Sequence, residues 1–365
     1  MLEVADIVRQ GAAAYRAAHP LLPSQQRALR DIEHCRTAFF GGHVAQCDHC
    51  GHLHYAYHSC RNRHCPKCHT EQTQVWLAQQ QTRLLPCPHY LLTFTLPAQL
   101  RTLAWTHQKI VYGTLLRCAA AAVQTLTRDP RWLGASPAIV AVLHTWTRAM
   151  LYHPHVHLLV SAGGLTAEGQ HWRTSKNPAF LVPVRALSII FRAKIKSALA
   201  RAKLLDCVLP SIWQRPWVVH ALHAGRGDKV LGYLARYVLR VAIANSRLET
   251  FQDGQVTFRY RDNRTQQLGH VSITAEEFLH RFLQHILPAG FPKIRYYGLA
   301  SASAQPNREQ VRKLLQTSQP EPPAQPLKLL SPASSEEPLG PLCPHCHQGH
   351  LHIIETLRPR RKFPP

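Results

Sequence analysis

"YHPHVHLLVSAGG", residues 152–164, decides how the rest of the chain is read. His153, His155 and His157 stand on alternate positions and lead into an apolar run that ends at Gly163-Gly164. Alternation of this kind predicts a strand, on which residues two apart share a face. His155 and His157 then point one way, about 7 Å apart at Cα, while Val156 and Leu158 point the other way, into a core. Two such imidazoles can chelate one ion if a neighbouring element supplies a third ligand. His144, at the end of the preceding apolar run "AIVAVLHTW" (138–146), is the nearest candidate. If the two runs form a hairpin, it lies almost opposite His155. The competing reading is a surface strand of solvated histidines, because among 25 histidines the same spacing recurs at 52/54, 345/347 and 350/352.

Around this stretch, residues 86–300 mix strand-like and helix-like segments. "YLLTFTLP" (90–97), "WVVHALH" (217–223), "QVTFRYRD" (255–262) and "LGHVSIT" (268–274) read as further strands. Helical spacing marks 98–127, 184–204, 228–245 and 275–286. The segments do not repeat as regular βαβ units, so the expected class is α+β with a largely antiparallel sheet. Upstream, residues 1–85 carry two helical patterns and six of the eleven cysteines. Residues 301–341, with eight prolines after position 302, read as a disordered linker to a Cys/His-rich basic tail at 342–365.

Composition narrows the function. Lys and Arg number 43 against 20 Asp and Glu, a net charge of +23, which points to a polyanion and most simply to nucleic acid. A ribosome-associated protein or a membrane-surface binder would share that charge, but no basic amphipathic helix stands out. The start "MLEVADIVRQ" is neither a signal nor a transit peptide, and no apolar run reaches 18 residues, so the expected location is the cytoplasm. There, eleven cysteines are expected to hold metal rather than form disulfides.

Cys47-x2-Cys50 and Cys65-x2-Cys68, with fourteen residues between them, are expected to close a tetrahedron around one structural Zn2+. Cys60, Cys35, His43 and His64 remain as alternative ligands or as part of a second site. Arg61, Arg63 and Lys67, between the ligands, would face phosphate. Cys343-x2-Cys346 reads as half of a second knuckle with no matching pair downstream.

In "DKVLGYLARYVLRVAIANSR" (228–247), apolar residues at helical spacing form a stripe, and Tyr233 and Tyr237 are four apart on one face. Arg236 and Arg240 add positive charge beside them. Tyrosine is a poor nucleophile at neutral pH, but beside a metal that withdraws charge from a phosphate its attack becomes feasible. The bland alternative is a pair of amphipathic packing residues.

Taken in order, the cysteine cluster, "HPHVH" and "YLARY" resemble the HUH-class rolling-circle transposases of bacterial insertion sequences, of the two-tyrosine type with an N-terminal zinc-binding domain. "SCRNRHCPKC", "VLGYLARYVLRVAIANSRL" and "HILPAGFPKIRYYG" add to the resemblance, which spans roughly residues 25–300. It implies a nuclease core with the HUH strand, His155 and His157, at the centre of an antiparallel sheet flanked by helices. It further implies Tyr233 and Tyr237 as nucleophiles, Mg2+ or Mn2+ as the catalytic ion, and single-stranded DNA at element ends and target as substrate. Cleavage would leave a 5′-phosphotyrosine and a free 3′-OH. The basic surplus would then line a DNA groove with aromatic platforms, for which Trp146, Tyr296 and Tyr297 are candidates and Trp213 a core residue. The competing classes are an HUH replication initiator or relaxase, and a zinc-dependent DNA-binding protein without chemistry.

Overall fold

The computed structural model describes residues 2–68, 75–80, 83–177, 180–226, 230, 232, 241–262, 265–318 and 340–360. Helices α1 (Val4–Ala18) and α2 (Pro23–Glu33) come first, then strands β1 (Gly42–Cys47) and β2 (Leu53–Tyr57). Strand β3 (His89–Thr95) leads into α3 (Arg101–Thr106) and α4 (Gln108–Thr127). Next come β4 (Ser136–Trp146), β5 (Tyr152–Leu165), β6 (Trp172–Thr174), α5 (Val184–Arg201) and β7 (Val219–Gly225). Strands β8 (Leu248–Gln252), β9 (Gln255–Arg261) and β10 (Leu268–Thr274) precede α6 (Ala275–Leu283) and β11 (Ile294–Gly298). Helix α7 (Gln305–Ser318) and strand β12 (Leu351–Leu357) complete the order.

The histidine strand is β5, and it occupies the middle of the sheet β11-β4-β5-β3-β7. Every pairing in that sheet is antiparallel, as expected from the irregular order of elements. Register divides its faces. Val156, Leu158 and Val160 join Leu92, Phe94, Ala141 and Leu143 in the main core, packed under residues of α4 and α5 such as Leu115, Leu116 and Phe191. Trp213 packs against this core, as expected. Of α4, which is long and apolar enough to span a membrane, 72% of the apolar window is buried, so its apolarity has a use inside the fold. At the far end of β5 the chain must pass tightly under β6. A Cβ on Gly163 would sit 2.5 Å from the Trp172 ring and 2.6 Å from the Arg173 carbonyl, so only glycine fits there.

A second sheet, β10-β9-β8, is covered by α6 and the N-terminal helices. Ile7, Val8, Leu29 and Ile32 share one buried cluster with Phe258, Phe278 and Phe282. The side chain of Gln25 ties the two stretches by donating to the Leu283 carbonyl at 3.1 Å. The boundary expected near residue 85 is therefore crossed by a common core: α1 and α2 pack on residues from 242–286. The linker expectation also needs correction. Residues 305–318 form α7, and Val311 is fully buried. Of the prolines in this region only Pro306 lies inside that span, at the first turn, where a missing N–H costs nothing.

Candidate active site and metal centres

On the face of the central sheet opposite the main core, His144 pairs directly across from His155, and Val142 from His157. Residues paired across strands share a face, so three imidazoles converge. Ring centroids lie 5.4 Å apart for His144–His155, 4.8 Å for His144–His157 and 4.9 Å for His155–His157. One ligand nitrogen from each can be chosen so that all lie within 4.8 Å of one another. His153, the third histidine of the alternating run, is engaged elsewhere, its Nδ1 accepting from Arg101 at 2.9 Å.

The trio's surroundings suit a cation. Nδ1–H of His155 donates to the His153 carbonyl at 2.7 Å, which leaves Nε2 as a free lone pair. Thr93 shares a 3.0 Å hydrogen bond with Nδ1 of His157. Burial pushes the His155 imidazole down to about 4. Burial, then the neighbouring His155 and Lys293, holds His157 well below its ordinary range. Neutral imidazole is the form that binds metal, and three imidazole ligands would leave coordination positions for phosphate oxygens.

The cysteines form two groups, and not the expected one. Cys35, Cys60, Cys65 and Cys68 converge, with Sγ of Cys68 3.5 Å from those of Cys35 and Cys60. Cys47 and Cys50 instead join Cys343 and Cys346, with Cys47–Cys346 and Cys50–Cys343 each at 3.8 Å. A tetrahedron with zinc–sulfur bonds of about 2.3 Å has edges of about 3.8 Å. The set Cys47, Cys50, Cys65, Cys68 is excluded by the β1–β2 hairpin. Cys47 and Cys50 sit at its tip, while Cys35 and Cys60 flank its base, and five residues of strand separate the two by about 17 Å.

At the tip, β12 pairs with β1 and carries the second knuckle in from the C-terminus. Asp48 clasps it, accepting the His350 N–H at 2.8 Å and His352 Nε2 at 3.2 Å. The N–H of Gly349 points at Sγ of Cys346 at 3.5 Å and, with that of Gln348, lowers this thiol to about 6.

Two comparisons with known proteins bear on these centres. A family described as "Putative transposase" matches residues 138–309, and one described as "Transposase zinc-binding domain" matches residues 7–96. The chain is 39% identical to "Putative transposase y4qJ" of Sinorhizobium fredii over 97% of its own length and 95% of that protein's. The chain belongs to the insertion-sequence transposases. It is also 31% identical to "Transposase for insertion sequence element IS801" of Pseudomonas savastanoi pv. phaseolicola, over 75% of this chain and 72% of the relative. Transposases of this type are of the HUH rolling-circle class. No solved structure matches. The protein is therefore a DNA-binding, DNA-cleaving strand-transfer enzyme with structural zinc in cysteine clusters.

Of the transposase's expected DNA contacts, Arg61 is exposed, but Arg63 and Lys67 are spoken for. Arg63 donates to the carbonyls of Phe291 at 2.6 Å and Pro288 at 2.9 Å, and Lys67 pairs with Glu3 at 2.5 Å. Tyr233, Tyr237, Arg236 and Arg240 lie outside the described residues. Val230, three residues before Tyr233, is fully buried among Leu91, Val140, Val142 and Leu159. Those residues are on the histidine face, by the register that pairs Val142 with His157 and Leu91 and Val140 with Leu159.

Sequence reading gave no role to Lys293 or His285. The Lys293 ammonium stands 5.0 Å over the Trp146 ring, which itself stacks on His144. Burial, with Arg63 nearby, lowers Lys293 to about 7. His285 supports the same strand end. Its Nε2–H donates to the Met150 carbonyl at 3.1 Å, and its Nδ1 accepts from Thr145 at 3.2 Å. The only signal for either was membership of the stretch "HILPAGFPKIRYYG".

Burial lowers His285 from 6.5 to about 4. Unfolded, the ring takes up a proton near 6.5; folded, it resists until about 4. Its share of stability is thus complete above pH 6.5 and is lost as pH falls from 6.5 towards 4. In urea denaturation between pH 6.5 and 5, the stability slope of wild type is expected to exceed that of His285→Gln by up to about 1.4 kcal/mol per pH unit. Equal slopes would mean that the buried ring titrates normally.

Proposed function

We propose that the transposase cleaves and rejoins single-stranded DNA through a 5′-phosphotyrosine intermediate during rolling-circle transposition. Tyr233 and Tyr237 are the nucleophiles, and His155, His157 and His144 hold Mg2+ or Mn2+. The observation that carries this reading is the convergence of three imidazoles on one sheet face, with Val230, at the head of the tyrosine segment, buried on that same face.

The tyrosine hydroxyl oxygen attacks the phosphorus, the P–O3′ bond breaks, and the 3′ oxygen leaves as a hydroxyl with a proton. The ester stores the energy of the broken phosphodiester, so a later attack by a 3′-OH restores a DNA backbone and frees the tyrosine. With two tyrosines, one end can stay attached while the second strand is cut. A bound divalent ion supplies charge withdrawal from the scissile phosphate and fixes its orientation. Three imidazoles form a softer donor set than Mg2+ prefers, so of the two ions Mn2+ should bind more tightly.

Covalent trapping tests the chemistry. Wild type, incubated with labelled single strands from the element's ends and Mn2+, is expected to give a shifted band on a denaturing gel. The band should vanish in Tyr233→Phe, Tyr237→Phe. Its survival in that double variant would remove both tyrosines from the mechanism, and no adduct with any end sequence would leave a DNA-binding protein without cleavage chemistry.

A further inference from the structure

Beside the Cys35 cluster the structure opens a cleft of about 820 Å3 between β2, the Cys60 loop and the helical segment 75–80. Its walls combine two kinds of side chain. Tyr55 and Tyr57, 53% and 36% exposed, project from one face of β2, with Trp76 on the helical segment. Arg36, Arg61 and His58 line the same space, and no carboxylate does among the described residues. Arg36 and Arg61 are exposed, and neither forms an ion pair among the described residues, unlike Lys67.

Arg36 and Arg61 each follow a cluster cysteine and lie in the left-handed region, at φ 58° and 51°, as Gly51 and His347 do after Cys50 and Cys346, so this backbone belongs to the cysteine turns. Glycine is at ease there, so glycine at either position keeps the turn. Two long cations facing one aromatic cleft indicate an anionic ligand with flat faces. Trp76 also packs on the cluster containing Leu91, Val142 and Leu159, so the cleft leads towards the histidine face of the central sheet.

We propose that this cleft binds single-stranded DNA, with bases stacked on Tyr55, Tyr57 and Trp76 and phosphates held by Arg36 and Arg61. Positions two apart on a strand are about 7 Å apart, a spacing that suits successive bases of an extended strand. Duplex DNA buries its base faces and cannot use the tyrosines. The proposal rests on the single-stranded reading above and adds where the strand runs before it reaches the histidines.

The test uses full-length protein in a Tyr233→Phe, Tyr237→Phe background without added Mg2+ or Mn2+, so that cleavage chemistry plays no part. Anisotropy is measured with a fluorescent twelve-nucleotide oligo-dT and with a blunt duplex. Tyr55→Ala, Tyr57→Ala is expected to lose affinity for oligo-dT at least about tenfold, from stacking worth about 1–3 kcal/mol per base. Arg36→Gly, Arg61→Gly, which relieves the backbone, should keep its zinc and its melting temperature. Its log–log salt slope for oligo-dT should be shallower by about 1.4, or about 0.7 per lost contact. Variants that bind oligo-dT like their parent would overturn the cleft and leave the tyrosine chemistry standing. An equal loss on blunt duplex would overturn base stacking. A parent that binds duplex but no oligo-dT would overturn both this proposal and the single-stranded reading.

Discussion

His157→Ala is expected to reduce metal-dependent cleavage by about a thousandfold or more while single-strand affinity changes little. The ring is buried at the centre of the sheet, held by Thr93 at 3.0 Å, with His144 and His155 on either side. Removing one of three ligands leaves two imidazoles, too few to compete with water for a hard divalent ion. The charge withdrawal such an ion provides is worth several kcal/mol, and each 1.4 kcal/mol is about tenfold in rate. Because alanine also opens a cavity, His157→Gln serves as the companion variant: it fills the volume and keeps a polar tip near Thr93. Calorimetric titration with Mn2+ gives the second readout, and both variants should lose the binding isotherm. A His157→Ala protein that cleaves within tenfold of wild type, with Mn2+ dependence intact, would mean that the trio is not the catalytic metal site.

The reason this site could be read from sequence is local. Strand periodicity alone puts His155 and His157 on one face, and a hairpin between neighbouring runs brings His144 opposite His155. Side-chain partners were harder to foresee, because Lys293 and Trp146 meet only when β11 docks on β4 from 150 residues away in sequence. The zinc ligands failed for the same reason in a sharper form. Two CxxC turns close in sequence look like one site, yet the hairpin between them keeps them apart, and the true neighbours of Cys47 and Cys50 lie near the other end of the chain. Strands β1 and β2 gave no warning, since His43, Gln46 and His54 interrupt the apolar alternation. Helix α7 was hidden by the prolines that follow it. Charge counting likewise treated Arg63 and Lys67 as free when the fold uses them to hold backbone carbonyls and Glu3.

Cys343→Ser, Cys346→Ser is the sharper test of the fold, and it is expected to halve the zinc content from two ions per chain, one for each four-cysteine group, to one. Two remaining thiolates, Cys47 and the exposed Cys50, cannot close a tetrahedron. The consequence should spread beyond the ion. Among the described residues, strand β12 has β1 as its sole partner in the sheet β12-β1-β2, and the strand hydrogen bonds alone hold little without the clasp at the hairpin tip. Structural zinc in small domains contributes about 10–16 kcal/mol of apparent binding energy, far more than a three-stranded sheet with exposed Tyr55, Ile353 and Ile354 recovers by burial. Amide exchange should therefore accelerate across β1, β2 and β12 while β4 and β5 stay protected, since the central sheet has its own core. The Cys35 group is at the opposite end of the hairpin and should keep its zinc. A double-serine protein that still holds two ions would return Cys47 and Cys50 to some other partner. One that loses both would show that the two centres fold as a unit, with the C-terminal knuckle supporting the whole zinc-binding region.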